Sequence, residues 1–154
     1  MVSLFDGISC GQVAFERTGI EIDKYFASEV DQYAIKTTQK NYPSTIQLGD
    51  VSKITYKNGT LYTENGEYYI GEVDVLIGGS PCQSFTFAGK REGMVTDENI
   101  EITTLEQYLE LKENGFSFKG QSYLFWEYAR LLKEIEPTYF LLENVKMQKH
   151  WQEI

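Results

Sequence analysis

Two side chains in this sequence sit in settings that suit chemistry, a cysteine placed as a candidate nucleophile and a carboxyl at a strand end. Cys82 lies in DVLIGGSPCQSF, directly after an apolar run and behind two glycines and a proline. Gly78 and Gly79 let the backbone turn tightly and Pro81 stiffens it, so the thiol is expected at an active edge, where a structural cysteine would sit within an apolar run. Glu143 ends YFLLENV, with Asn144 beside it. Alone, ENV reads as an ordinary polar strand terminus. Brought to the same sheet edge as the cysteine loop, its carboxyl could hydrogen-bond a ring nitrogen of an aromatic base.

Three acids suggest a second function for that edge. In SLFDGISCGQVAFE an apolar strand runs into Asp6-Gly7 and then Gly11 before a helix, so bare backbone and a helix start can approach a ligand. Glycine after a strand is most often just a tight turn, so this segment is weak by itself. Glu29 in YFASEVDQYA can accept both hydroxyls of a ribose, or can be a helix-initiating acid. Asp50 in LGDVSKI can accept from the exocyclic amine of a purine, although taken singly a capping aspartate is the better reading. Together Asp6, Glu29 and Asp50 are expected to converge on one crevice that suits a neutral-to-cationic nucleoside better than a pyrophosphate.

The elements that must position these groups follow from the hydrophobic pattern. Apolar runs at Val2 to Phe5, Tyr25 to Ala27, Val73 to Ile77 and Tyr139 to Leu142 predict strands buried on both faces. Helix-like stretches lie between them: Gly11 to Thr18 closed by Gly19, Gln32 to Asn41 stopped by Pro43, and Tyr123 to Ile135 before Pro137. The alternation predicts an α/β fold, a doubly wound, mostly parallel sheet whose ligands bind beyond the carboxyl ends of the strands. Asn58-Gly59 and Asn65-Gly66 in YKNGTLYTENGEYY predict a small surface hairpin. Thr86 to Gln121, with a short helix at LEQYLELKEN, reads as a lid or mobile loop outside the core.

Composition bounds the rest. With 154 residues, 42% of them hydrophobic, the chain can bury one sizeable core, and one domain over 1–154 is expected. The start MVSLFDG lacks the pattern of a secretory leader and no apolar run could span a bilayer, which predicts a soluble, intracellular protein with no membrane partner. Two distant cysteines, Cys10 and Cys82, make neither a disulfide framework nor a metal-ligand set. The net charge of -9 argues against holding nucleic acid by bulk electrostatics, unless a gripping part lies outside these residues. FDGISCG departs from G-x-G-x-x-G, so a nicotinamide oxidoreductase lacks support.

With these segments in view, the sequence resembles the cytosine-C5 DNA methyltransferases. The resemblance rests on SLFDGISCGQVAF, ASEVDQYA, GDVSKI, DVLIGGSPCQSF and LLENV, in the family's order and across nearly the whole chain. FDGIS with SEV and GDV is most similar to the branch containing the animal de novo enzymes, and phage and bacterial members look similar. The resemblance implies a Rossmann-like domain that binds S-adenosylmethionine. Phe5, Asp6, Gly7 and Ile8 would line its methionine and adenosine part, Glu29 would hold the ribose, and Val30 would pack on adenine. Asp50 and Val51 would address the adenine edge, with Pro81 completing the set and Leu124 either packing by the cofactor or serving as a plain core leucine. Cys82 would attack C6 of a cytosine flipped out of double-stranded DNA, while Glu143 contacts N3 and the exocyclic amine.

The resemblance also implies what would complete such an enzyme: an arginine-containing strand motif, a target-recognition region and a late segment closing the cofactor pocket. The chain is therefore expected to be a partial catalytic domain, incomplete at its C-terminal side and inactive alone, with a complementing C-terminal segment or a second copy as partner. Two other readings are a catalytically silent S-adenosylmethionine-binding regulatory domain, which retention of Cys82 and Glu143 disfavours, and a tRNA cytosine-C5 methyltransferase. A cytoplasmic location in a bacterial or phage restriction-modification setting, or a nuclear one in a eukaryote, goes with the family. Lys90 and Arg91 would touch phosphate if their loop closes over a duplex, or form a solvated basic pair.

Overall fold

Short apolar strands separated by helical stretches have one economical arrangement, a parallel sheet in which each helix carries the chain back to the start of the next strand. The computed structural model, which describes residues 1–81 and 94–145, has that arrangement. In chain order the elements are β1 (Val2–Leu4), α1 (Cys10–Thr18), β2 (Phe26–Ser28), α2 (Gln32–Asn41), β3 (Ile46–Gln47), β4 (Thr55–Lys57), β5 (Thr60–Thr63), β6 (Gly66–Tyr69), β7 (Val75–Gly79), α3 (Leu105–Glu113), α4 (Leu124–Ile135) and β8 (Tyr139–Glu143). The chain divides into two compact units, Met1–Gly79 with Leu131–Glu143, and Ser80–Arg130 with Asn144–Ile154.

The first unit holds the parallel sheet, in the order β3-β2-β1-β7-β8. Strand order reverses at β1, so the crevice beyond its carboxyl end is the topological switch point of the fold. Val2, Leu4, Phe26, Ala27 and Leu76 are buried. Gly19, at φ 73°, closes α1 as expected, and Asp31 caps α2 by accepting from the Tyr33 and Ala34 amides. Several strand bounds shift from expectation. Phe5 leaves β1 because its φ is 56°, and β7 extends through Gly78 and Gly79, which pair with Leu142 and Glu143 of β8 in place of forming the turn.

β8 departs further. It was expected to be buried on both faces, yet Tyr139, Phe140 and Leu141 are 69%, 61% and 61% exposed. Among the described strands β8 pairs with β7, at the end of the sheet order.

The expected hairpin is a three-stranded antiparallel meander, β4-β5-β6. Asn58 and Gly59, at φ 52° and 78°, make the first two-residue turn, where positive φ at both positions matches the twist of the flanking strands. Glu64 and Asn65 make the second turn, and Gly66 already belongs to β6.

The second unit corrects another expectation, since the described part of the 86–121 connection is no bare lid. Met94, Ile102, Tyr108 and Trp126 form a buried cluster, packed by Leu105, Phe118 and Tyr123 among others. At its centre Glu127 is fully buried and takes bonds from Tyr108, from Lys112, and from Arg130 Nε and Nη2 at 2.8 and 2.7 Å. An unpaired carboxylate there would be prohibitive, so the three donors are a condition of the burial. No helix among the described residues is long and apolar enough to cross a membrane.

Candidate active site

The loop after β1 is built from alternating left-handed residues. Phe5, Gly7 and Ser9 have φ of 56°, 58° and 64°, a conformation costly for the two with side chains and maintained here by side-chain bonds. Asp6 supplies them. Its Oδ1 accepts from Tyr25 Oη at 2.6 Å and its Oδ2 from Ser9 Oγ. Ser9 Oγ in turn accepts from Gln12 Nε2 at 3.1 Å, and the same nitrogen donates to Thr45 Oγ1 at 2.8 Å. Burial, reinforced by the Asp6 carboxylate, pushes the Tyr25 hydroxyl well above its ordinary value and keeps it a donor. The Asp6 carboxylate thus braces the loop. Gly11, read as a point of ligand approach, serves close packing instead: a β-carbon there would collide with Ile77 Cδ1 and stand 2.8 Å from Tyr25 Oη. Ile8 is 55% exposed on this loop.

Glu29, just past β2, joins the first two strand ends. Its Oε2 accepts from the Gly7 amide at 2.8 Å, and its Oε1 from the amides of Val30 and Asp31 at 2.7 and 2.9 Å. A carboxylate offers about four acceptor positions, so one stays available on Oε2 without any exchange. Glu29, Val30 and Asp50 line a common cleft of about 360 Å³. Val30, a large apolar side chain left 65% exposed, lies next to the carboxylate. Asp6, Gly7, Ile8 and Val51 are not among the residues lining that cleft.

Asp50 accepts from Ser52 N and Ser52 Oγ at 2.9 and 2.8 Å, both on Oδ1, and caps a short 3-10 turn at Val51–Lys53. The capping reading of Asp50 is therefore realised while the residue still faces the cleft. Val51 is buried. The other lining residues were not marked by the sequence as part of a site, among them Lys53 and the meander turn Glu64-Asn65. Lys53 Nζ meets Glu64 Oε2 at 2.6 Å, and this bond holds the Glu64 carboxyl below its ordinary range.

Glu143 is exposed at the carboxyl end of β8, in register with Gly79. A β-carbon on Gly79 would lie 3.0 Å from Glu143 Oε2, so the missing side chain leaves the carboxyl its place. In the second unit, Asn144 Nδ2 reaches buried Ser80 Oγ at 3.5 Å, tying the residue before Pro81 to the segment after β8. Leu124 opens α4. Cys82, Lys90 and Arg91 lie outside the described residues.

A parallel sheet with acids at successive strand ends occurs in several lineages, and comparison with known proteins shows to which of them this chain is related. The family profile described as C-5 cytosine-specific DNA methylase matches residues 1–153. The chain belongs to that family. Its fold is accordingly the Rossmann-like α/β fold of a methyltransferase, as the sequence motifs imply.

Among similar proteins of this methylase family, "Orphan methyltransferase M.Rho11sI" of Bacillus phage rho11s is 36% identical over 148 residues, which is 95% of this chain and 23% of that protein. "Orphan methyltransferase M.SPRI" of Bacillus phage SPR is 34% identical over 95% of this chain and 26% of its own length. "Type II methyltransferase M1.ScrFI" of Lactococcus lactis subsp. cremoris is 34% identical over 97% and 29%. The chain thus spans about a quarter of the length of these relatives.

Proposed function

We propose that these residues form the cofactor-binding and base-attacking part of an enzyme that transfers a methyl group to C5 of cytosine in double-stranded DNA, the donor being S-adenosylmethionine. The observation that carries this reading is the cleft shared by Glu29, Val30 and Asp50, in a chain matched by the family over residues 1–153. The cleft fits the donor's nucleoside. Glu29 keeps an acceptor position for a ribose hydroxyl, Val30 offers an uncovered apolar face for adenine, and Asp50 can accept from its exocyclic amine. A β-carbon at Gly7 would meet nothing within 4 Å, so a ligand can come close to that backbone.

Phe5, Asp6, Gly7 and Ile8 would flank the methionine and adenosine part, and Val51 the adenine edge. When bound, S-adenosylmethionine supplies an electrophilic methyl group. The chain's own task is to make C5 nucleophilic. The Cys82 thiolate bonds to C6, and the electron pair of the C5–C6 double bond becomes available at C5. Glu143 holds N3 and the exocyclic amine, favouring that electron flow. After methylation, loss of the C5 proton returns the pair to the ring, the double bond re-forms and the thiolate leaves. The base must leave the stack for either carbon to be reached. The chain spans about a quarter of its relatives' length, and a complementing C-terminal segment or a second copy is its proposed partner in transfer.

DNA containing 5-fluorocytosine tests the covalent step, because fluorine at C5 cannot leave as a proton. A denaturing gel of the complemented protein should show a protein–DNA adduct that disappears in Cys82→Ala. Methyl transfer that survives Cys82→Ala, with no trapped adduct, would overturn the proposal.

A further inference from the structure

The turn between β5 and β6 belongs to a surface meander, yet it is tied to the strand-end loop that carries Asp50. Asn65 Nδ2 donates to the Gln47 carbonyl at 3.1 Å, and the Asp50 amide donates to Glu64 Oε1 at 3.2 Å. Lys53 Nζ holds the other oxygen of Glu64 at 2.6 Å. Gly49 makes the approach possible: at φ 81°, a β-carbon on it would stand 2.7 Å from Glu64 Oε1. Glu64 and Asn65 also line the cleft that contains Glu29, Val30 and Asp50. Gln47, on the same wall, keeps a buried side-chain Oε1 without a hydrogen-bond donor among the described residues.

We infer that Glu64 and Asn65 are positioning residues for nucleoside recognition: they fix the Asp50 loop so that its carboxylate meets the exocyclic amine of adenine. The inference rests on the donor-binding reading given above and deepens it. Its chemistry is specific. The Asp50 side chain is a hydrogen-bond acceptor, so it favours a base that offers an amine at that position and disfavours one that offers a carbonyl. Without the bond that the Asp50 amide donates to Glu64 and the bond that Asn65 donates to Gln47, the loop can shift, and the preference should fade while stacking on Val30 and the ribose contact persist. The Lys53–Glu64 pair is exposed and screened by salt, so the two bonds to backbone groups carry the positioning.

Titration calorimetry of the protein with S-adenosylhomocysteine and with S-inosylhomocysteine, which replaces the amine by a carbonyl, reads this directly. The native protein should favour the adenosyl compound by roughly ten-fold, the scale of one well-placed hydrogen bond. Glu64→Ala and Asn65→Ala should bring the ratio toward one by weakening the adenosyl compound alone. Glu64→Gln, which keeps an acceptor for the Asp50 amide, should retain most of it. A merely structural role would weaken both compounds equally and leave the ratio unchanged, and that result would overturn the inference. If the native protein bound neither compound, the donor-binding reading would fall with it.

Discussion

The carboxyl of Glu143 lies over the α-carbon of Gly79, its Oε2 3.0 Å from the point where a β-carbon would stand. The two residues are register partners at the carboxyl ends of β7 and β8, so a glycine next to the proposed cysteine loop sets the place of a carboxyl on the neighbouring strand. Gly79→Ala should push that carboxyl aside. In the complemented enzyme the methyl-transfer rate is expected to fall by roughly 10- to 100-fold, the scale of a misplaced reacting group, with donor affinity unchanged. Single-turnover rates beside calorimetry would check it, and a rate equal to the native one would contradict it.

Helix α1 leans on the sheet through Gly11, where a β-carbon would collide with Ile77 Cδ1. Gly11→Ala should therefore destabilise the fold by about 1–3 kcal/mol, as overpacking usually does. Adding Ile77→Val removes the colliding methyl and should recover part of the loss. Urea unfolding of the single and double variants measures the coupling, and strictly additive losses would speak against it.

Burial raises the hydroxyls of Tyr25, Tyr108 and Tyr128, the last to about 12, with the Asp6 and Glu127 carboxylates adding to the first two. The folded form keeps these protons after the unfolded chain begins to lose them near the ordinary value of 10.0. The unfolded state then binds fewer protons, so stability falls as pH rises past about 10, and these three groups change nothing below it. Denaturant midpoints from pH 8 to 11 should show the decline. Tyr25→Phe should flatten it, at the cost of leaving Asp6 without one donor, and an unchanged pH dependence would exclude Tyr25 as a source.

The buried Glu127 carboxylate is matched by Arg130, Lys112 and Tyr108. Glu127→Gln leaves Arg130 buried beside a neutral amide, a loss of about 3–5 kcal/mol by analogy with broken buried pairs. Hydrogen exchange across residues 94–130 should accelerate in this variant more than exchange in β1 and β2. Equal protection in the two regions would show that the network is dispensable.

The sequence showed the parallel sheet and its helices clearly because period and length agree there: Gln32 to Asn41 is helix to the residue, and Glu29 and Asp50 do line one cleft. What it could not show was which way a polar side chain faces. Asp6 looks like a ligand group in FDGIS, yet its partners are Tyr25 and Ser9, and nothing about a tyrosine at the head of an apolar run marks it as that donor. Glycine was ambiguous in the same manner, since Gly78 and Gly79 serve a strand as readily as a turn. The role of Glu64 was out of reach because a tight-turn dipeptide tells where a chain reverses and not what it reverses toward.

Strand β8 presents three exposed apolar side chains, Tyr139, Phe140 and Leu141. Apolar side chains left in water carry a solvation cost, so this strand would gain from any surface that covers it.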